Sequence, residues 1–209
     1  MTYWSDYDNF IEDVFGTPYM IWHDGLNINA ISGIPSEKKE EALSWIKFGI
    51  ENNDAVAAEA ASQLYNPEIV SLLEEKYLVA NGDFLVKTAL TLKTIKNDDS
   101  YAKRLLEVHN LNNFWGIALN FTIALRHFNY PGIDNFLLKV IEQHPDYLVT
   151  YHACESLLSL HHIQPSCIGD HPEIFPKILE KKEEESDDAF KKRKMEACVL
   201  MKQLIQYTP

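Results

Sequence analysis

Apolar residues recur every three or four positions along four stretches of this chain, each of which carries an alanine near its middle. The stretches are Asp54–Leu64, Asp83–Ile95, Asn112–Leu125 and Asp146–Leu160. A large apolar residue follows each alanine by three or four positions, which is one helical turn, so both side chains share a helix face. Segments rich in Asn, Asp, Gly and Pro separate the stretches, and long strand-like alternation is absent. The pattern predicts an all-α protein.

The central alanines recur at a nearly constant spacing. They are Ala60, Ala89, Ala118 and Ala153, separated by 29, 29 and 35 residues. A period of about 30 residues is the length of one helix–turn–helix unit, and tandem units of this kind stack into a solenoid. Short loops make successive helices antiparallel neighbours. We therefore expect one domain over 1–209, with cap helices in 1–35, repeats in 36–163, and a loop and capping helices in 164–209.

The ends of the chain predict helices of a different character. Helices are expected over Ser5–Phe15, Tyr19–Ala30 and Glu37–Glu51, the last with Ser36 as its N-cap. The run Lys181–Lys194 holds charges of both signs and only two apolar residues. We expect it to form either a solvated surface helix or a mobile connector.

The charge of the chain is strongly acidic and unevenly distributed. The net charge is −12, and the first 60 residues hold three lysines against eleven acidic residues, which places −8 there. Nucleic acid is not expected as a direct ligand, because its recognition depends on Lys and Arg neutralising phosphates. A basic protein partner would be attracted, although the charge could also serve solubility alone.

The location of the protein is suggested by what the sequence lacks. No apolar stretch approaches the roughly 18 residues of a spanning helix, and the first residues lack the features of a secretory signal. Cys154, Cys167 and Cys198 are odd in number and widely spaced, which favours reduced thiols. We expect a cytoplasmic protein with no membrane contact.

Aromatic and acidic residues near the start of the chain predict a binding surface. Trp and Tyr are enriched at interface hot spots, and flanking carboxylates would steer a basic partner. Trp45 and Trp115 lie within apolar helices and are expected in the core, whereas Trp4 and Trp22 lie among acidic residues. The predicted partner-binding residues are Asp6, Asp8, Glu12, Asp13, Trp22, Asp24, Glu37, Glu40 and Glu41.

Histidine and cysteine cluster in the second half of the chain, and both are preferred zinc ligands. The cluster comprises His152, Cys154, His161, His162, Cys167 and His171. No Cys-x-x-Cys or His-Glu-x-x-His spacing occurs, and no phosphate loop or Gly-x-Ser-x-Gly is present. We expect ordinary helix-end and loop histidines, no metal, no cofactor and no catalysis.

The alanine-centred segments resemble the HEAT-like (armadillo-type) helical repeat family over residues 36–163. The resemblance lies in Asp54…Ala60, Asp83…Ala89 and the segment Ala153–Leu160. It implies a right-handed α-solenoid that binds proteins. In size, acidity and helical class the chain is also similar to bacterial immunity proteins, which neutralise toxins that are often basic nucleases. That resemblance implies a non-enzymatic protein that occludes its toxin.

Other members of the HEAT-like group suggest alternatives. Glycosylases of this fold have a basic groove, which the acidic charge does not match, and the metal-dependent hydroxylases use His-Glu dipeptides, which this sequence lacks. A metal-binding or enzymatic repeat protein acting through the His152–His171 region remains an alternative, as does a general cytoplasmic scaffold or adaptor.

Overall fold

The computed structural model describes residues 3–108 and 114–206, except for the side chain of Trp22. Every regular element in these ranges is a helix, as the hydrophobic pattern predicted. The chain divides into two compact units, Met1–Tyr101 and Ala102–Pro209. The predicted division into caps and repeats is not tested by this boundary and stays a prediction.

The first unit contains six α-helices in its described part. They are α1 (Tyr7–Phe15), α2 (Pro18–Asp24), α3 (Lys39–Glu51), α4 (Ala55–Ala60), α5 (Pro67–Tyr77) and α6 (Gly82–Lys96), with 3₁₀ turns at Ile28–Gly33, Ser36–Lys38 and Asp99–Tyr101. Helix α3 packs against α4 and α5, and each of these two helices also packs against α6. Helix α1 packs on α3.

Alanines allow the helices of the first unit to approach closely. Ala57, Ala58 and Ala60 of α4 are fully buried, as is Ala89 of α6. The hydroxyl of Thr91 donates a 2.8 Å hydrogen bond to the Ala58 carbonyl across this contact. Small side chains let a hydroxyl on one helix reach the backbone of the next, which satisfies a buried polar group.

The second unit repeats this mode of packing. Its described α-helices are α7 (Ala102–Val108), α8 (Trp115–Leu125), α9 (Ile133–Gln143), α10 (Tyr147–Leu160), α11 (Phe175–Ile178) and α12 (Asp187–Gln206), with a 3₁₀ turn at Ile168–Asp170. Helix α10 packs against α8 and α9, and α12 packs against α9 and α11. Ala118 and Ala153 are buried, and the Ser156 hydroxyl donates a 2.9 Å hydrogen bond to the Thr122 carbonyl.

Several local expectations were wrong. Helix α2 ends at Asp24 rather than Ala30, because Gly25 takes a φ of +78° that stops the helix. Ser36 lies inside a 3₁₀ turn and caps nothing with its side chain, so α3 begins only at Lys39. Asn112 and Asn113, at the start of one predicted stretch, lie outside the described residues.

Two side chains have the opposite environment from the one expected. Trp115 is 46% exposed and does not belong to the core. Lys194, at the end of the charged run, is 2% exposed rather than solvated. The chain forms α12 from Asp187 onward, so only the first part of that run is irregular. In the described ranges, no helix combines the length and apolar character that crossing a bilayer requires.

Candidate functional site

An open groove of about 580 Å³ lies on the first unit where α1, α2 and the start of α4 meet. Apolar side chains form much of its lining, and three carboxylates lie among them. The lining residues are Tyr7, Asp8, Ile11, Glu12, Pro18, Ile21, Asp54 and Val56. Binding sites in proteins are commonly concave and apolar with a few charged groups that fix orientation, so this groove is the best candidate site.

The sequence of α1 produces one wall of the groove. Tyr7 and Ile11 are four residues apart, as are Asp8 and Glu12, so an apolar row and an acidic row run side by side along the helix. Asp8 and Glu12 are exposed, whereas Tyr7 and Ile11 are partly buried. The helix therefore offers apolar contact and negative charge to the same ligand.

The chain reaches the opposite wall through a tight turn. Gly16 follows α1 with a φ of +92°, a conformation that few residues other than glycine adopt. The hydroxyl of Thr17 accepts a 3.4 Å hydrogen bond from the Met20 amide and caps α2, and Pro18 occupies the first helical position, where its missing N–H costs least. This turn brings Ile21 of α2 into the groove.

Tyr7 forms the inner edge of the groove. Its ring centroid lies 5.5 Å from that of Phe48, and its hydroxyl is buried without a hydrogen bond to another described residue. Burial, followed by the negative charge of Asp54, raises the pKa of Tyr7 well above its usual value. The phenol is therefore neutral at physiological pH and faces the Asp54 carboxylate.

Asp54 supplies the third carboxylate from the opposite side. One of its oxygens accepts a 2.7 Å hydrogen bond from the Val56 amide and so caps α4. This bond fixes the carboxylate at the helix start while Val56 contributes an apolar surface next to it. Together with Asp8 and Glu12, it gives the groove three negative charges, and none of its described lining residues is a cation.

Of the nine predicted partner-binding residues, the structure brings Asp8 and Glu12 to this groove. Trp22 belongs to α2, which forms one wall, but its side chain lies outside the described residues. Asp6 has a local role, since its carboxylate accepts a 2.8 Å hydrogen bond from the Asn9 amide and caps α1. Asp24 is the last residue of α2, and its carboxylate is 2.7 Å from Nδ1 of His23.

Two further predicted carboxylates anchor Trp4. Asp13 accepts a 2.9 Å hydrogen bond from the Trp4 indole nitrogen, and Glu41 accepts from the backbone amides of Tyr3 and Trp4 at 2.9 to 3.2 Å. The amide of Tyr3 holds the pKa of Glu41 below its usual value. Trp4 is 3% exposed and packs edge-on against Phe10, so its ring belongs to the core of the first unit.

The remaining predicted residues lie elsewhere on the first unit. Glu37 is exposed in the 3₁₀ turn before α3. Glu40 lines a smaller depression of about 270 Å³ between α3 and α5. There Lys47 and Glu68 form a 2.5 Å ion pair, which neutralises part of the local charge. The predicted acidic surface is therefore divided among several places, and of these only the groove combines acidic side chains with an apolar lining.

The histidine and cysteine cluster separates into independent local contacts. Nδ1 of His152 is 3.3 Å from the Glu155 carboxylate, and Nε2 of His161 is 2.9 Å from that of Asp134. His171 contacts the Pro165 carbonyl at 2.8 Å. In the part of the chain that the structure describes, no three or more His, Cys, Asp or Glu side chains are grouped so as to hold a metal ion.

The groove contains residues that sequence reasoning missed, namely Tyr7, Ile11, Pro18, Ile21, Asp54 and Val56. The four-residue spacing of Tyr7 and Ile11 was a detectable signal, because it marks an apolar row on an acidic helix. Ile21 and Val56 gave no such signal, since only the tertiary convergence of α2 and α4 places them together. Comparison with family models, with curated proteins and with solved structures finds no match to this chain.

Proposed function

We propose that this chain is a protein-binding module whose groove captures a basic, apolar segment of a partner. The observation that carries the proposal is a groove of about 580 Å³ in which Asp8, Glu12 and Asp54 lie among apolar lining residues. An aliphatic or aromatic side chain of the partner would fill the groove, and Lys or Arg beside it would pair with the carboxylates. Charged rims of this kind chiefly accelerate association and select the partner.

The specific form of the proposal is an immunity protein that neutralises a basic bacterial toxin by occlusion. The N-terminal charge of −8 supports this form, because it extends the attraction beyond the groove itself. The chain would act without catalysis, by covering the surface through which the toxin reaches its target. No cofactor takes part in this mechanism.

The proposed scaffold is a right-handed, HEAT-like solenoid of antiparallel hairpins. Support comes from the first unit, where α3 contacts α5 and α4 contacts α6, as expected when successive hairpins place equivalent helices side by side. In the second unit α8 contacts α10 in the same way. Such scaffolds present extended surfaces for protein binding.

The immunity role is tested by expressing the product of the gene next to this one with and without the chain. We expect that product to arrest growth alone, and co-expression to restore growth through a complex that purifies as one species. Growth arrest that persists despite abundant folded chain would contradict the immunity role. A harmless neighbour that still binds the groove would instead favour a scaffold or adaptor.

A further inference from the structure

One face of α12 is left without partners in the described structure and has the opposite charge to the groove. Met195 and Val199 are four residues apart and are 48% and 53% exposed. Three exposed lysines surround them on the same side of the helix, namely Lys191, Lys192 and Lys202. The opposite side is buried through Ala197, Cys198 and Met201. The buried side of α12 packs against its neighbours, and the exposed side can contact another molecule.

This face matches the groove in both charge and chemistry. The face offers three lysines and one carboxylate, Asp188, beside two apolar side chains, so its charge is net positive, and the groove offers three carboxylates around an apolar lining. Laying the apolar side of a helix into an apolar groove is a common mode of recognition, with anchors one turn apart. Met195 and Val199 have that spacing, and methionine adapts to irregular surfaces.

We propose that α12 of one copy of this chain docks in the groove of a second copy, with Met195 and Val199 against the apolar lining. Lys191 and Lys192 then pair with the groove carboxylates. The proposal rests on the groove being a protein-binding site, and it adds a form of regulation, because self-association and partner binding would compete for the same surface.

Overall charge determines the conditions under which this contact forms. Each copy carries −12, so two copies repel each other at low ionic strength. At physiological ionic strength charges are screened beyond about 8 Å, which removes most of that repulsion while contacting pairs retain part of their attraction. The same negative charge opposes binding of α12 to an anionic membrane. Two apolar anchors make a small interface, so the association is expected to be weak.

Sedimentation equilibrium of the full chain over a wide concentration range tests the proposal at physiological ionic strength. We expect the mean mass to rise with concentration. Asp8→Lys/Glu12→Lys and Lys191→Glu/Lys192→Glu should each lower the association constant by about tenfold or more, because each places like charges opposite one another. The matched controls Glu183→Lys/Glu184→Lys and Lys103→Glu/Lys139→Glu make equal charge changes at exposed positions elsewhere and should retain association.

An equimolar mixture of the two reversed variants gives the sharpest result. The reversed groove of one variant faces the reversed helix of the other, so the mixture should regain association that neither variant shows alone. A chain that stays monomeric at all concentrations would overturn the proposal, as would variants that associate like the original protein. Binding to vesicles of phosphatidylcholine with about one third phosphatidylserine, abolished by Lys191→Glu/Lys192→Glu, would assign the face to membranes instead.

These outcomes separate this proposal from the function of the groove. If the chain is monomeric while Asp8→Lys/Glu12→Lys still prevents capture of a basic partner, the groove retains its proposed role and only the self-association is lost. If the groove reversal affects neither, both proposals fail.

Discussion

The hydroxyl of Tyr7 lies so close to the α carbon of Gly49 that a methyl group placed there would overlap both this hydroxyl and the β carbon of Ala57. Gly49 is therefore the position at which α1, α3 and α4 come together beneath the groove. Any larger residue must push Tyr7 outward or separate α3 from α4.

Gly49→Ala should destabilise the protein by about 1–3 kcal/mol, because an added methyl in a packed interior forces neighbouring groups apart. The loss should appear as a lower urea midpoint at an unchanged slope. Gly33→Ala is the matched control, since a methyl group there meets no atom within 4 Å. Equal midpoints for the two variants would show that Gly49 tolerates a side chain and that the helices are less tightly packed than described.

Two tyrosine hydroxyls should respond in opposite ways to removal. Tyr7→Phe removes a buried hydroxyl that forms no close hydrogen bond and only faces the Asp54 carboxylate, so stability should stay unchanged or rise by up to about 1 kcal/mol. Tyr77→Phe removes a hydroxyl that donates a 2.9 Å hydrogen bond to the Tyr101 carbonyl, and this should cost about 1 kcal/mol. Chemical denaturation of both variants checks the prediction, which fails if Tyr7→Phe is the more damaging change.

The buried amine of Lys194 should make stability depend on pH. It donates hydrogen bonds to the His144 carbonyl and, at 3.1 Å, to the Thr150 hydroxyl, and burial lowers its pKa to about 8. The unfolded chain retains the usual value of about 10.4, so between these two pH values it binds a proton that the folded chain lacks. The free energy of unfolding should therefore rise across this window, by no more than about 3 kcal/mol.

Lys194→Met isolates this effect from other titrating groups. Burial also raises the pKa of the Cys198 thiol to about 11, which lowers stability with rising pH because the unfolded thiol ionises first. The difference in unfolding free energy between the original protein and Lys194→Met cancels that contribution. Between about pH 8 and 10, the unfolding free energy of the original protein should rise relative to that of Lys194→Met, because the folded protein no longer has to bury a charged lysine. A constant difference would mean that the amine is solvated.

Elemental analysis of the purified protein tests the metal-binding alternative. The histidines at 152, 161 and 171 each contact a different partner, so we expect far less than one equivalent of zinc or iron. The protein should also unfold at the same temperature with and without a chelator, because a structural metal would contribute to stability. One tightly held equivalent would overturn this expectation and favour the enzymatic or metal-binding alternative.

Local chemistry predicted much of the fold. The alanines at 60, 89, 118 and 153 are all buried, and Asp54, Asn66 and Asp146 cap their helices through side-chain hydrogen bonds. These features depend on residues within one helical turn, which a sequence displays directly. Lys194 could also have been found, because it lies three, four and seven residues before the buried Ala197, Cys198 and Met201.

Tertiary placement was harder to predict. Trp115 was expected in the core and is exposed, whereas Trp4 is buried, because helical periodicity shows that a face is apolar but not whether another element covers it. The acidic residues were predicted to form one binding surface, whereas Asp13 and Glu41 accept hydrogen bonds from Trp4. Such long-range contacts depend on how α1 and α3 are packed, which the local pattern does not specify.

The association rate of the chain with its basic protein partner, measured by stopped-flow mixing, tests the groove most directly. Asp8→Lys/Glu12→Lys should slow association and weaken affinity by about tenfold or more, because the variant loses attraction at the contact itself. Glu183→Lys/Glu184→Lys makes the same charge change on the second unit and should have a much smaller effect. Equal losses for the two variants would show that only net charge matters, and no loss for either would contradict the groove as the binding site.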